Sequence, residues 1–127
     1  MPHNTIAPRL VSFAILILDI ADSMPQSPAG RHLSGQLIRS GTSPALNYAE
    51  ARGAESDRDF VHKLNIAIKE LRETVVNLEI IQQSGKCRDT KKLHLAHSEC
   101  NELIAILIAS VNTVKRRTAN SKQRTAN

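Results

Sequence analysis

The most regular pattern of apolar and polar positions lies in the middle of the chain, over residues 57–84. Apolar side chains recur there at spacings of four and three, which is the period of one face of an α-helix. These side chains are Phe60, Leu64, Ala67, Leu71, Val75, Leu78 and Ile81. Ser56 and Asp59 have the spacing of a capping box, and Gly85 is typical of a C-terminal cap. The pattern predicts an amphipathic third helix over 57–84.

Helical patterns also flank this segment. A first helix is predicted from about Arg9 to Ser23, where the breaker-rich stretch MPQSPAG (24–30) ends it. A fourth helix is predicted over about 90–116, and its core-facing stripe is Leu93, Ala96, Cys100, Leu103, Leu107, Ser110 and Val114. Its connection to the third helix is short, which favours antiparallel neighbours. Residues 1–8 contain two prolines and are predicted to be disordered.

The second segment, about 31–52, contains a stretch whose Gly41 and Pro44 ordinarily indicate a loop. A polar stripe nevertheless crosses the proline in helical phase, at Gln36, Ser40, Ser43, Asn47 and Glu50. A loop has no reason to keep that spacing. Neighbouring Ser and Thr hydroxyls can satisfy the backbone groups that Pro44 frees, at the cost of a bend. We therefore predict one helix kinked near Pro44, not two short helices.

Together the segments predict an all-α protein, an antiparallel up-down-up-down four-helix bundle over residues 9–114. The 127 residues suffice for one domain. Aromatic residues make up 2% of the chain, so the core must be aliphatic, as suits helix-on-helix packing.

The fourth helix is apolar beyond its core stripe, at Ile104, Ile106, Ile108 and Val111. An extra apolar face on a helix usually has a second burial partner. We therefore predict a homo-oligomer that uses this face. The alternative is that the first helix covers it more fully within one chain.

The net charge of +5 is concentrated at the end of the sequence. Five of the 17 lysines and arginines lie in residues 113–127, and the segment has no acidic residue: Lys115, Arg116, Arg117, Lys122 and Arg124. The rest of the chain is neutral. Residues 115–127 are predicted to form a disordered basic tail that contacts RNA or DNA phosphates without reading sequence. The alternative is a terminus that only aids solubility.

The sequence offers little for catalysis. His94, His97 and Cys100 have a suggestive spacing, but the first and last lie about 120° apart around a helix and do not converge on a metal. There is no Glu-x-x-His pair of the di-iron bundles and no phosphate-binding glycine loop or Gly-x-Ser-x-Gly motif. We therefore predict no enzyme activity, no metal and no cofactor.

Location is predicted from the cysteines and from the apolar stretch VSFAILIL (11–18). Cys87 and Cys100 fit free thiols in a reducing cytoplasm. The apolar stretch is much shorter than the roughly 20 residues of a membrane-spanning helix, and Asp19 and Asp22 follow it. A cytoplasmic protein without a membrane segment is therefore predicted.

The polar stripe of the second helix has two interpretations. With the third helix it gives a predicted polar network of Gln36, Arg39, Ser40, Ser43, Asn47, Glu50, Lys63, Glu70 and Glu73. It can be a ligand or RNA-backbone groove, or a network that fixes the register of packed helices. The carboxylates of Glu50, Glu70 and Glu73 would repel phosphate, which favours the network.

Several of these residues also carry a family resemblance. RSGTS (39–43), then Asn47, Glu50 and Ala51, then Ser56, Asp59 and Phe60, then KLNIAIKELRET (63–74) are the matching elements. They closely resemble the bacterial four-helix-bundle proteins that include those encoded within intervening sequences of large-subunit ribosomal RNA genes. SFAILILDI (12–20) is similar to that family's first helix, and the resemblance covers about residues 11–116.

The resemblance implies an up-down-up-down bundle that assembles as a ring-like homopentamer. It also implies similarity to the accessory proteins of diversity-generating retroelements, which bind nucleic acid on a positively charged surface. The neutral body of this chain departs from those basic relatives. The combined prediction is a non-enzymatic homo-oligomer that binds RNA or DNA through the basic tail. The alternative is an assembly or adaptor protein that recruits another protein through its helical faces.

Overall fold

Four α-helices account for nearly all of residues 5–126, the part of the chain that the computed structural model describes; side chains are described for residues 5–124. Helix α1 spans Ile6–Asp22, α2 spans Pro28–Arg52, α3 spans Asp57–Ser84 and α4 spans Thr90–Ala126. The described residues contain no β-strand. The predicted all-α four-helix bundle is confirmed.

The helix ends follow from local sequence. The Ser27 hydroxyl accepts a hydrogen bond from the Gly30 N–H at 3.1 Å, and Pro28 takes the first helical position of α2. The Ser56 hydroxyl accepts from the Asp59 N–H at 3.0 Å, so α3 begins at the predicted cap. Gly85 ends α3 with φ of 69°, in the left-handed region that favours glycine.

Contacts between the helices show that sequence neighbours run antiparallel. Between α2 and α3, Arg39 pairs with Glu73 whereas the later Glu50 pairs with the earlier Lys63. The same reversal occurs between α1 and α4 and between α3 and α4. Those pairs are Arg9–Glu99, Asp19–Lys92, Glu79–His97 and Gln82–His94. The connectivity is therefore up-down-up-down, with α1 returning to lie beside α4.

The core is aliphatic and runs the length of the bundle. Its fully buried large side chains are Leu10, Phe13, Ile17, Ile20, Leu37, Leu64, Leu71, Leu78, Ile81, Leu93, Leu103 and Leu107. Helices α1 and α2 approach closely at Gly41, where a Cβ atom would lie 2.7 Å from Cγ1 of Ile17. No helix among the described residues is long and apolar enough to cross a membrane.

Helix α2 continues through Pro44, which confirms one helix instead of two. Nearby side chains bond to the backbone: the Thr42 hydroxyl donates to the Ile38 carbonyl at 2.7 Å, and the Asn47 amide donates to the Ser43 carbonyl at 3.0 Å. The bend near Pro44 remains a prediction.

Both ends of the bundle differ from expectation. Helix α1 begins at Ile6, whose buried side chain joins the core, so the helix includes part of the segment predicted as disordered; residues 1–4 lie outside the described part of the chain. Helix α4 continues to Ala126 where a disordered tail was predicted after 114, and Asn127 is not described. Residues 115–126 contain no Gly or Pro and are rich in good helix formers. The Thr118 hydroxyl also donates to Asp57 at 3.0 Å, which ties the extension to α3.

The face predicted for oligomerisation is partly buried within the bundle. Val111 is 6% exposed and belongs to the core, and Ile104, Ile106 and Ile108 are half-buried and pack against it. Within one chain this face is therefore partly covered, and its use in a homo-oligomer stays a prediction. The first helix contributes to that cover at Ile106, which lines one cavity with Ile6 and Arg9.

Candidate nucleic-acid interface

The last three turns of α4 carry the largest surplus of positive charge in the molecule. Its five cations, Lys115, Arg116, Arg117, Lys122 and Arg124, are all exposed. Among the described side chains none of the five forms an ion pair with a carboxylate. Arg116 has an uncharged neighbour, since its guanidinium lies 3.5 Å from the Thr113 hydroxyl. These charges therefore face solvent without compensation.

This basic end of α4, residues 115–124, lies where α1 and α3 begin. Lys115 and Lys122 line a cavity of about 420 Å³ with Arg58 and Val61 of α3. Arg117 lines another cavity, of about 630 Å³, with residues of α1. The cations thus lie on several sides of the helix instead of forming one stripe. The segment has no acidic residue on any side.

The predicted polar network of α2 and α3 assembles around Arg39. Its guanidinium donates to Glu70 and to Glu73, each at 3.0 Å, and lies 3.5 Å from the Gln36 side-chain oxygen. The hydrogen bond to Glu73 and the charge of Glu70 raise the pKa of Arg39 above its ordinary value. Lys63 pairs with Glu50 at 3.2 Å further along the same helices. These cations are already neutralised by carboxylates.

A buried polar contact lies beneath that network. Ser40 and Thr74 are both fully buried, and their hydroxyl oxygens are 3.0 Å apart. The Asn77 amide donates to the Ser40 hydroxyl at 3.2 Å. The prediction did not include Thr74 and Asn77; the available signal was a threonine three positions after Leu71, on the buried face of α3.

Two predicted members stay outside the network. Asn47 bonds to its own helix, and the Ser43 hydroxyl oxygen is buried without a hydrogen-bond partner in the described part of the molecule. The arrangement joins α2 to α3 and fixes their register. It leaves few free donors for a phosphate.

A second cluster of charge, absent from the sequence prediction, joins α1 to α4. Arg9 donates to both carboxylate oxygens of Glu99, at 2.6 and 3.0 Å, and lies 3.5 Å from Glu102. The hydrogen bond to Glu99 raises the pKa of Arg9. This bidentate pair is half-buried and holds the start of α1 against α4.

The histidines and the cysteine considered for a metal have other neighbours. His94 lies 3.2 Å from the Gln82 amide nitrogen, and His97 lies 3.0 Å from a Glu79 oxygen. The buried Cys100 thiol donates to the Leu71 carbonyl at 3.2 Å. Within residues 5–124, no three metal-ligating side chains lie together.

Cys100 is expected to resist alkylation in the folded protein. Burial is the main cause that raises its pKa to about 12, and the charge of Glu99 adds to it. At about pH 8 the reactive thiolate is then roughly a thousand-fold rarer than for an ordinary cysteine with a pKa of about 8.5. Peptide mass spectrometry after iodoacetamide treatment measures this directly. Equal labelling rates in buffer and in urea would contradict the buried position.

Three of the eight large apolar side chains that are exposed among the described residues lie on α1. Val11, Ile15 and Leu18 follow helical spacing and are 51%, 54% and 42% exposed. Leu95 of α4, 60% exposed, lines a shallow cavity with Ser12 and Leu16 of α1. The outer face of α1, defined by Val11, Ile15 and Leu18, is thus an exposed apolar row, whereas the isoleucines of α4 are half-buried.

Comparison with known proteins agrees with the fold. A family model described as 23S rRNA-intervening sequence protein matches residues 4–109, so the basic end of α4 lies beyond the match. A crystal structure of a protein with unknown function from the S23 ribosomal protein family of Bacteroides thetaiotaomicron VPI-5482 is 31% identical, with a TM-score of 0.74. The alignment covers 84% of this chain and 97% of that one. No curated protein matches. Since the family match spans all four helices, the chain belongs to the 23S rRNA-intervening sequence protein family.

Proposed function

We propose that this protein is a non-enzymatic helical bundle that binds the phosphate backbone of RNA or DNA, without reading base sequence, through the basic end of α4. One observation carries the proposal: five exposed cations lie on three successive helical turns with no carboxylate among them. Other cations of the bundle, Arg9, Arg39, Lys63 and Lys92, have carboxylate partners. The five unpaired cations of the basic end of α4 are therefore better suited to an anionic ligand than these four paired ones.

The physical basis is counterion release. Each cation that neutralises a phosphate releases a condensed counterion. This release makes binding more favourable, and most so at low salt. Contacts of this kind set position and affinity but carry no sequence information. Base stacking contributes little, because the basic end of α4 contains no aromatic residue. Sequence-independent binding follows from that composition.

Assembly into a homo-oligomer is part of the proposal. The outer face of α1 exposes three large apolar side chains in one helical row, and a second copy is the occupant we propose for it. A pentamer is the assembly that the sequence resemblance predicts. Several basic ends on one particle would raise the effective concentration of each contact and strengthen binding. Free, buried cysteines fit a cytoplasmic location.

A second candidate rests on the same apolar face. If it binds a different protein, the molecule is an adaptor with no nucleic-acid role, and the basic end of α4 only aids solubility. The two candidates differ in whether purified protein binds nucleic acid at low salt.

The test replaces the five cations of the basic end by glutamine, which keeps helix propensity and removes the formal net charge of +5. We expect affinity for a fluorescent RNA of about 20 nucleotides to fall at least about 100-fold at about 50 mM salt, and the slope of log affinity against log salt to become shallower by about 4. Fluorescence anisotropy measures both.

A matched control removes five cations from the opposite end of the bundle: Arg31, Lys86, Arg88, Lys91 and Lys92. It has the same net charge as the test variant. If both variants lose affinity equally, net charge and not the basic end of α4 is responsible. If the unchanged protein binds no nucleic acid at about 50 mM salt, the adaptor is the better description. Light scattering on the same samples tests the oligomer, and a monomer mass at micromolar concentration would contradict it.

A further inference from the structure

We propose that the outward face of α3 continues the phosphate-binding surface, with Arg58, Lys69 and Arg72 holding the backbone of the nucleic acid that the basic end of α4 engages. The inference rests on the proposed function and adds a second contact region on the bundle itself. It assigns a role to residues that lie outside both the polar network and the basic end of α4.

Five exposed side chains of α3 form one row along the helix. Positions 58, 62, 65, 69 and 72 follow each other at spacings of four, three, four and three, and all five side chains are exposed. At about 100° per residue they lie on one face of the helix. Their side chains are those of Arg58, His62, Asn65, Lys69 and Arg72. No carboxylate interrupts this row, which spans about 21 Å at 1.5 Å per residue.

Three of the four acidic side chains in this part of α3 are engaged elsewhere, and the fourth, Asp59, lies about 100° around the helix from Arg58. Asp57 accepts a hydrogen bond from Thr118, and Glu70 and Glu73 both accept from Arg39 of α2. Within residues 5–124, Arg58, Lys69 and Arg72 have no ion-pair partner. The row therefore presents three cations without an ion-pair partner, although the body of the chain is neutral in total.

This row meets the basic end of α4 at Arg58. Arg58 lines the cavity of about 420 Å³ into which Lys115 and Lys122 also face. Three cations from two helices thus border one recess at the end of the bundle, and the Thr118–Asp57 hydrogen bond holds the two helices in register there. A backbone that follows the basic end of α4 therefore meets Arg58 next, in a recess that the Asp57 carboxylate also lines.

Lys69 and Arg72 form the end of the row that is distant from the basic end of α4. Lys69 and Arg72 border a groove of about 720 Å³ between α2 and α3, and Asn65 and Asn77 line the same groove. Lys69 and Arg72 are three residues apart, which places side chains on one helix face about 5–6 Å from each other. That spacing suits one phosphate between an ammonium and a guanidinium, and the amides add donors. Arg39 lies in this groove too, but Glu70 and Glu73 neutralise it.

The dimensions fit a nucleic-acid strand better than a single small anion. A row of about 21 Å corresponds to about six phosphates along one strand of a duplex, at about 3.4 Å per phosphate. The cations lie at its two ends, so they meet phosphates several nucleotides apart. The contacts involve charge and amide donors, and the surface reads the backbone and not the bases.

The test is a triple variant of the full chain, Arg58→Gln, Lys69→Gln and Arg72→Gln. Its matched control is Lys86→Gln, Arg88→Gln and Lys91→Gln, which removes three exposed cations near the connection of α3 to α4. The probes are a fluorescent single-stranded RNA and a DNA duplex, each of about 20 nucleotides in length. We expect the triple variant to bind about 10-fold more weakly than the control, with a salt slope shallower by about 2 to 3.

The outcomes separate this inference from the proposed function. If the triple variant and its control bind alike, while the five-glutamine variant of α4 has lost affinity, the α3 surface has no role and the proposed function stands. If only the triple variant loses affinity, the α3 surface stands without α4. Absence of binding by the unchanged protein overturns both. A loss limited to the duplex or to the single strand identifies which of the two the row accommodates.

A measurement on the unaltered protein guards against a variant that fails to fold. Acetylation of lysines is followed by peptide mass spectrometry with and without the RNA. We expect RNA to slow modification of Lys69 several-fold while leaving Lys86 unchanged. Equal rates at both lysines in the presence of bound RNA would overturn the inference.

Discussion

Gly41→Leu is expected to destabilise the protein by about 3 kcal/mol or more, whereas Gly35→Leu is expected to stabilise it by up to about 1 kcal/mol. A Cβ atom at position 41 would lie 2.7 and 2.8 Å from the two γ-carbons of Ile17, whose side chain is fully buried. A Cβ atom at position 35 meets nothing within 4 Å. The same substitution in one helix therefore has opposite effects, and urea denaturation followed by circular dichroism measures both.

A double variant tests whether Ile17 is the cause. Ile17→Ala removes the side chain that blocks position 41, so the cost of Gly41→Leu should be smaller in that background by about 1 kcal/mol or more. Strictly additive costs would show that the two positions do not touch. Similar stabilities of Gly35→Leu and Gly41→Leu would contradict the close approach of α1 and α2.

Leu71→Ala is expected to cost about 2–5 kcal/mol of the free energy of unfolding. Its side chain is fully buried in the middle of α3, and surrounding helices cannot collapse into the cavity without disturbing their own packing. Most single domains have a total stability of about 5–15 kcal/mol, so this change removes a large share. Equilibrium unfolding in urea gives the value from the midpoint at constant m.

Leu46→Ala is the matched control for that substitution. Leu46 is 66% exposed on α2, and its truncation should change stability by no more than about 0.5 kcal/mol. A loss at position 46 equal to that at position 71 would mean that a partner covers Leu46 in solution, and light scattering of the two variants would then show it.

The sequence predicted the third helix best, because its signals are local. The bounds 57–84 agree with Asp57–Ser84, since Ser56 and Gly85 cap the helix with their own atoms. Continuity through Pro44 was also predictable, because the polar stripe keeps its phase on both sides. These inferences need no knowledge of neighbouring helices.

The length of α4 was not predictable in the same way. A basic segment with no apolar stripe is typical of a disordered tail. The bond that ties it down joins Thr118 to Asp57, which are 61 residues apart in sequence. Which apolar side chains stay exposed has the same dependence. Ile106 is half-buried and borders a cavity with Ile6 and Arg9 of α1, whereas Val11 and Ile15 lie on the outer face of α1 and are exposed.

For the candidate site, the sequence named the five cations and most of the network around Arg39. It missed Thr74 and Asn77, because their contact with Ser40 depends on the register of α2 against α3. It also did not single out the outward face of α3. A role for the row from Arg58 to Arg72 could be inferred only from the structure, in which the basic end of α4 reaches Arg58.

The continuous course of α4 also bears on how its last turns keep their shape. A peptide as short as residues 115–126 is a marginal helix in water, since forming the first turn fixes several dihedral angles for one hydrogen bond. Here that nucleation occurs in the part of α4 that packs in the core, and the last turns need only propagation. Their conformational entropy is lost when the bundle folds, not when a ligand arrives. Anything that melts the core will therefore also release these turns into coil.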